Sequence, residues 1–246
     1  MHNKKITLVI AAAGKGSRSG LNYPKCLFKI KGQSILLRIL KATEFLPRRP
    51  VIIASPTGAE AINDELKANN ILEAKIILQK EANGMGDAIM QLSKIKHDLQ
   101  DNILLAWGDL PFISSSTIKS LIQNFFDTKS DFSLVTSTSS DPYTMVIRNI
   151  KGEIEEIIES RELASNDILK RSSERDIGIF LFRRDLILSL LEKDLENKYG
   201  SISGEHGFLY LIRHLSLKGY RINSVDTKLD IETVSFNSKH DLKGFL

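Results

Sequence analysis

Cysteine occurs once in the 246 residues, at Cys26, which excludes an internal disulfide framework and leads us to expect a reducing, cytoplasmic setting. No apolar run approaches the roughly 20 residues of a membrane helix. The run that follows Met1-His2-Asn3-Lys4-Lys5 passes straight into Gly14-Lys15-Gly16 and reads as a first strand, not a signal peptide. Basic runs of five or more and zinc-type Cys/His spacings are missing, and the basic residues are interleaved with acids. The net charge of +4 therefore fits an enzyme of small polyanions better than a nucleic-acid binder. No Gly-x-Ser-x-Gly elbow is present, which excludes that class of serine hydrolase. Internal repeats, low-complexity tracts and clear linkers are also lacking, so residues 1–246 read as one domain with two lobes, and oligomeric state is not legible.

What is present is a hydrophobic content of 42% and a charged content of 26%, ordinary for a chain with a proper core. Short β-branched runs at Ile6–Ala12, Val51–Ser55, Lys75–Leu78, Ile103–Ala106 and Phe132–Thr136 predict strands. Segments of helical periodicity lie between them at Ser34–Leu46, Gly86–Ile95 and Thr117–Phe126, giving a doubly wound α/β pattern. After about residue 137 the rhythm changes. Tyr143–Arg148 and Ile154–Glu159 flank a turn at Asn149–Gly152, followed by a strand at Ile177–Phe182 and a helix from Arg184 to about Glu196. A loop at 197–204, a helix from about Glu205 to Leu217, a strand at Ile222–Val225 and a helix after Ser238 complete the pattern.

Three segments carry chemistry. Ala11-Ala12-Ala13-Gly14-Lys15-Gly16-Ser17-Arg18 follows the first strand, where α/β sheets bind ligands, and Pro24-Lys25 lies just beyond. Small residues let the backbone approach a phosphate, and Arg18 and Lys25 add fixed positive charge. The glycine spacing matches neither the dinucleotide fingerprint nor a Walker A loop. Gln79 precedes Gly84-Met85-Gly86-Asp87; its amide suits the edge of uracil, and a plain surface Gln remains the other reading. Leu104-Leu105-Ala106-Trp107-Gly108-Asp109 is a buried strand ending in an acid, which is either a ligand for magnesium or the cap of the next helix. Trp107 can equally be a core residue.

The pattern Ala12-Ala13-Gly14-x-Gly16-x-Arg18 with Pro24-Lys25 resembles the signature of sugar-1-phosphate nucleotidyltransferases, above all the uridylyltransferase domain of bacterial N-acetylglucosamine-1-phosphate uridylyltransferases. The resemblance implies a Rossmann-like, glycosyltransferase-A-type fold with a mixed, mainly parallel sheet flanked by helices. It implies a nucleotide-binding half over residues 1–137 and a sugar-phosphate-binding half over 138–246. It also implies magnesium-dependent condensation of a nucleoside triphosphate, UTP by preference, with a sugar 1-phosphate, releasing pyrophosphate. Ala12, Ala13, Gly14, Gly16, Gln79 and Gly84 would then bind nucleotide, and Arg18, Lys25 and Asp109 would be catalytic. Asp109 and Asn237 would hold magnesium, although Asn237 also suits the cap of the last helix. Glu159 and Asp176 would face the sugar.

The sugar side departs from the family pattern. Asp176-Ile177-Gly178 stands where Asn-Thr-Gly is expected, Gly204-Glu205-His206-Gly207 loses the family's aromatics, and Met85 replaces its threonine. A cytidylyl- or guanylyltransferase for an alditol or molybdopterin phosphate is therefore kept as an alternative, as is a non-catalytic nucleotide-binding protein. The hexapeptide-repeat acetyltransferase half of bifunctional relatives is expected to be absent.

Overall fold

A computed structural model describes residues 5–14, 19–47, 49–163 and 172–245. In chain order these form β1 (Ile6–Ala12), β2 (Lys29–Ile30), β3 (Gln33–Ser34), α1 (Ile35–Ala42), β4 (Val51–Ala54), α2 (Ala59–Ala68), β5 (Lys75–Leu78), α3 (Met85–Met90) and β6 (Asn102–Trp107). Next come α4 (Ser115–Asp127), β7 (Phe132–Thr138), β8 (Thr144–Arg148), β9 (Ile154–Glu159), β10 (Glu174–Arg183), α5 (Arg184–Leu191), α6 (Leu211–Leu217) and β11 (Ile222–Asp226). No helix among the described residues is long and apolar enough to cross a membrane.

Seven strands form the central sheet in the order β5-β4-β1-β6-β10-β7-β11. All neighbours run parallel except β10, which is antiparallel to both β6 and β7. The sheet is thus mixed and mainly parallel, as the sequence led us to expect. The period-two alternation of strand side chains splits the core into two layers. Ile6, Leu8 and Ile10 of β1, with Leu104 and Ala106 of β6, pack against α1, α2 and α4. Val9, Ile103 and Leu105 point the other way, with Phe180 and Phe182 of β10, toward α3, α5 and α6. Strands buried on both faces are what an α/β sheet demands.

Parallel pairing has a functional consequence. It brings the carboxyl ends of β1, β4, β5 and β6 (Ala12, Ala54, Leu78 and Trp107) to one rim. Being antiparallel, β10 contributes its amino end, Glu174 to Gly178, to that same rim. The register of β10 shifts between Asp176 and Phe180, around Gly178. Trp107 sits beside this bulge and its ring centroid lies 5.0 Å from that of Phe180, so the core reading of Trp107 is the one the structure supports.

Several helices are shorter than their apolar periodicity suggests. α5 stops at Leu191, five residues before the expected Glu196, and α6 begins only at Leu211. The stretch before α6 is a loop in which His206 bridges Tyr199, because glycines at 200, 204 and 207 weaken helix there. The segment after α3 tightens into 3₁₀ turns over Gln91–Asp98, and the turn after Ser238 is a short 3₁₀ helix at Lys239–Leu242. Helix α2 gives little signal in the sequence: it buries only Ile62 and Leu66, so its apolar stripe is faint.

Gly178 combines a φ of +81° with a Cβ position 2.3 Å from Trp107 Cδ1. Gly178→Ala adds left-handed strain to that clash and is expected to cost about 2–4 kcal/mol, measured by urea unfolding at constant m-value.

Candidate active site

At the sheet rim, Gly108 follows β6 and donates its N–H to the Ala11 carbonyl at 2.9 Å. A Cβ on Gly108 would meet that same oxygen at 2.9 Å, so glycine is what lets the β1 and β6 exits lie against each other. Ala13 is buried beneath the rim and Ala12 is partly buried, whereas Gly14 is exposed and a Cβ there would meet none of the described residues within 4 Å. Gly16 and Arg18 lie outside the described residues.

Across the rim, Lys25, Asp109 and Asn237 converge, although Asp109 and Asn237 lie 84 and 212 residues beyond Lys25 in the chain. Lys25 Nζ lies 3.3 Å from Asp109 Oδ2, 3.4 Å from Asn237 Oδ1 and 3.1 Å from the Phe236 carbonyl. Pro24 sets the start of a 3₁₀ turn over Lys25–Leu27 that aims Lys25 inward while Cys26 is buried. The Phe236 N–H donates to the Asp109 carbonyl at 2.8 Å, and its ring stacks on Phe28 at 4.4 Å between centroids. These contacts fix Asn237 beside Asp109.

The capping alternatives for both residues fall away. Ser114, not Asp109, caps α4, its hydroxyl accepting from the Thr117 N–H. Ser238, not Asn237, caps the C-terminal turn, in a capping box with Asp241. Asp109 and Asn237 are therefore left to the site.

Asp109 Oδ1 is buried without a hydrogen-bond partner, an unusual state for a carboxylate oxygen. A hard divalent cation fits that need. Asp109 and Asn237 offer two oxygen ligands, and no cluster of three or more His, Cys, Asp or Glu exists among the described residues. So sparse a donor set suits magnesium, which is usually held by one or two protein oxygens together with substrate phosphates and water.

Gln79 follows β5 and is only 6% exposed, which removes the surface reading. Its Nε2 donates to the Gly84 carbonyl at 2.9 Å and to Asp87 Oδ2 at 2.8 Å. Both partners are acceptors, so the hydrogen bonds fix the amide's orientation. Asp87 escapes a sequence reading, since nothing in the spacing links it to Gln79. Gly84 and Gly86 have a further role: the Gly86 N–H donates to the His206 carbonyl and the His206 N–H to the Asn83 carbonyl. A Cβ on Gly86 would lie 2.0 Å from the Gly207 carbonyl. The turn is glycine-rich because a loop from the other half of the chain packs on it. Burial holds the His206 imidazole below its ordinary pKa, hence neutral at pH 7, in keeping with a structural histidine.

Glu159 and Asp176 are neighbours through Thr144, which pairs with Glu159 across β8 and β9 and donates its hydroxyl to Asp176 Oδ2 at 2.5 Å. Asp176 Oδ1 accepts from the Gly178 N–H at 2.8 Å, so both oxygens are already engaged within the protein. Glu159 is gripped by Arg161 at 2.8 Å, and Arg161 also reaches Glu205 at 3.2 Å. Glu159, Arg161 and Glu205 line a cavity of about 520 Å³ together with Glu162, Tyr199 and Tyr210. Burial pushes the Glu159 carboxyl up, with Arg161 opposing that shift.

Burial likewise raises the pKa of Asp176, against the opposing hydrogen bond from Thr144. The folded form therefore keeps its proton to higher pH than the unfolded form. The resulting loss of stability begins as pH rises past the ordinary carboxylate value of 3.8 and is complete above the raised folded value. Asp176→Asn can keep both hydrogen bonds, with Nδ2 donating to the Thr144 hydroxyl. It is expected to be more stable than wild type at pH 8 and to lose this pH-dependent component, read from Tm between pH 4 and 8.

Residues 8–196 match the MobA-like NTP transferase domain family. The chain is 31% identical over 188 residues to the bifunctional protein GlmU of Prochlorococcus marinus (strain MIT 9211), covering 76% of this chain and 41% of that protein. It is 34% identical over 183 residues to the bifunctional protein GlmU of Buchnera aphidicola subsp. Schizaphis graminum (strain Sg), covering 74% of this chain and 38% of that protein. The matched region thus spans less than half the length of these two relatives. In fold, the chain is similar to the inositol-1-phosphate CTP transferase from T. maritima, with a TM-score of 0.73 at 16% identity, covering 98% of this chain and 92% of that one. A rim of parallel strand ends carrying a small-residue loop, a lysine and a strand-end aspartate is what this matched segment folds into, and the chain belongs to the MobA-like NTP transferase domain family.

Proposed function

We propose that the chain is a magnesium-dependent nucleotidyltransferase that joins a nucleoside triphosphate, UTP by preference, to a sugar 1-phosphate and releases pyrophosphate. The observation that carries this reading is the meeting of Lys25, Asp109 and Asn237 at the carboxyl ends of the strands, with Asp109 Oδ1 buried and unpartnered. In this reading residues 1–246 act as one nucleotidyltransferase domain. Residues 1–137 bind the nucleotide and residues 138–246 the sugar phosphate.

The reaction asks little covalent chemistry of the protein. A sugar phosphate oxygen, already anionic near neutral pH, attacks the α-phosphorus in line with the departing pyrophosphate. Ala12, Ala13, Gly14 and Gly16 let the loop backbone approach the triphosphate, and Arg18 and Lys25 offset its charge. Gln79, beside Gly84, accepts a hydrogen bond from the base. Glu159 would face the sugar, and Asp176 would support that wall through Thr144. Asp109 and Asn237 would hold magnesium, which when bound supplies neutralisation of the phosphate charge.

One observation favours a second reading. With Nε2 held by Gly84 and Asp87, Gln79 offers only an acceptor, which cytosine N4–H satisfies as well as uracil N3–H. CTP is therefore the main rival nucleotide, with an alditol phosphate as a rival acceptor.

Two measurements test the reading. Pyrophosphate release with magnesium, crossing UTP, CTP, GTP, ATP and dTTP against sugar 1-phosphates and alditol phosphates, is expected to show turnover with UTP and a sugar 1-phosphate. Turnover confined to CTP would overturn the uridine preference, and silence across the panel would remove the transferase assignment. Asp109→Ala is expected to lower kcat by about 10³-fold or more with circular dichroism unchanged. Near-wild-type activity in that variant would remove the metal assignment.

A further inference from the structure

Lys25 contacts the very oxygens that a divalent cation would need, an overlap that gains its meaning from the transferase reading above. Its ammonium lies within 3.1–3.4 Å of Asp109 Oδ2, the Phe236 carbonyl and Asn237 Oδ1. Magnesium binds its oxygen ligands at about 2 Å and demands near-octahedral geometry. A lysine ammonium held against the same carboxylate and amide would oppose it by charge and by occupying their lone pairs.

We infer that Lys25 and the divalent cation exchange on the Asp109–Asn237 oxygens: the ammonium holds them in the free protein and passes to the triphosphate when nucleotide and metal arrive together. Lys25 is then more than a phosphate contact. It occupies the metal ligands beforehand and makes the metal–nucleotide complex, not the bare ion, the species the site accepts.

Three features make the exchange physically reasonable. The oxygens do not depend on Lys25 for their position. The Phe236 N–H is bonded to the Asp109 carbonyl, the Phe236 ring is stacked on Phe28, and the Asn237 N–H donates to Asp241 Oδ2 at 2.8 Å. The Lys25 backbone is also fixed. Leu27 and Phe28 N–H groups close the turn onto Pro24 and Lys25 carbonyls, and Pro24 packs so closely on Gly58 that a Cβ there would lie 2.6 Å from Pro24 Cγ. Only the four-carbon stem needs to swing, a motion open to a lysine side chain. Finally, Asp109 Oδ1 is left unsatisfied by Lys25, so the carboxylate still seeks a second positive partner. The triphosphate compensates the ammonium for what it gives up, and without nucleotide nothing does.

The consequence has an unusual sign. Removing a residue from the binding machinery should strengthen metal binding to the free protein. Mn²⁺ binding is measured through the electron paramagnetic resonance signal of the free ion, on wild type and Lys25→Met, without nucleotide. The variant is expected to bind Mn²⁺ about tenfold or more tightly than wild type, a gain lost when Asp109→Asn is added. A nonhydrolysable UTP analogue should then raise the Mn²⁺ affinity of wild type by a larger factor than that of the variant. Equal or weaker binding by Lys25→Met, or a gain that survives Asp109→Asn, would overturn the exchange. Lys25→Gln repeats the test should the methionine variant fold poorly by circular dichroism. This readout needs no turnover, so a wild-type chain that released no pyrophosphate would sink the transferase reading while still deciding the exchange.

Discussion

The parallel pairing of β1 with β6 is the constraint on which the rest of the site depends. Six consecutive register partners, from Ile6 with Asn102 to Ala11 with Trp107, align the two strands so that both end at the same height. The Gly108 N–H then extends the ladder to the Ala11 carbonyl, placing Asp109 directly beside the exit of the small-residue loop. A slip by one residue would turn every side chain of one strand to the opposite layer, exchanging the neighbours that each packs against. Packing thus enforces a register whose product is polar: a carboxylate beside the exit of β1.

The polar contacts around the site divide into those that position and those left for a ligand. Phe236 and Glu232 belong to the first kind. Glu232 is only 1% exposed, yet accepts from the Ser114 N–H at 2.8 Å and from the Thr117 and Thr227 hydroxyls. It ties the segment leading to Asn237 against the start of α4, and the donors around it offset the cost of burying its charge. Asp87, which orients Gln79, and Thr144, which engages Asp176, act in the same manner. The unpartnered Asp109 Oδ1 is of the second kind. It is where interaction energy remains for something other than the protein itself.

Much of this is legible in the sequence, for a physical reason. The β-branched runs at Ile6–Ala12 and Lys75–Leu78 mark β1 and β5 to the residue: β1, buried within the sheet, leaves an uninterrupted apolar signature, whereas the edge strand β5 buries only Ile77. The hairpin of β8 and β9 is announced by Asn149 and Gly152, whose turn is closed by the Gly152 N–H on the Asn149 carbonyl. Helix ends are less legible: α5 and α6 stop or start where tertiary packing, not periodicity, decides. Trp107 is ambiguous in sequence because a strand-end aromatic suits either a core or a ligand wall, and only its neighbours Gly178 and Phe180 resolve it.

By itself the sequence determined the kind of fold and the residue types of the site, since hydrophobic periodicity and local loop chemistry are properties of nearby residues. It placed Lys25, Asp109 and Asn237 as separate candidates, the two oxygen ligands each with a capping alternative. Tertiary structure decided that the three share one set of contacts, that Ser114 and Ser238 take the capping duties, and that Asp176 is engaged by Thr144 and Gly178. Those outcomes depend on distances between residues remote in the chain. Such distances are set by how the two apolar layers close on the sheet, a collective result of packing that no short stretch of sequence contains.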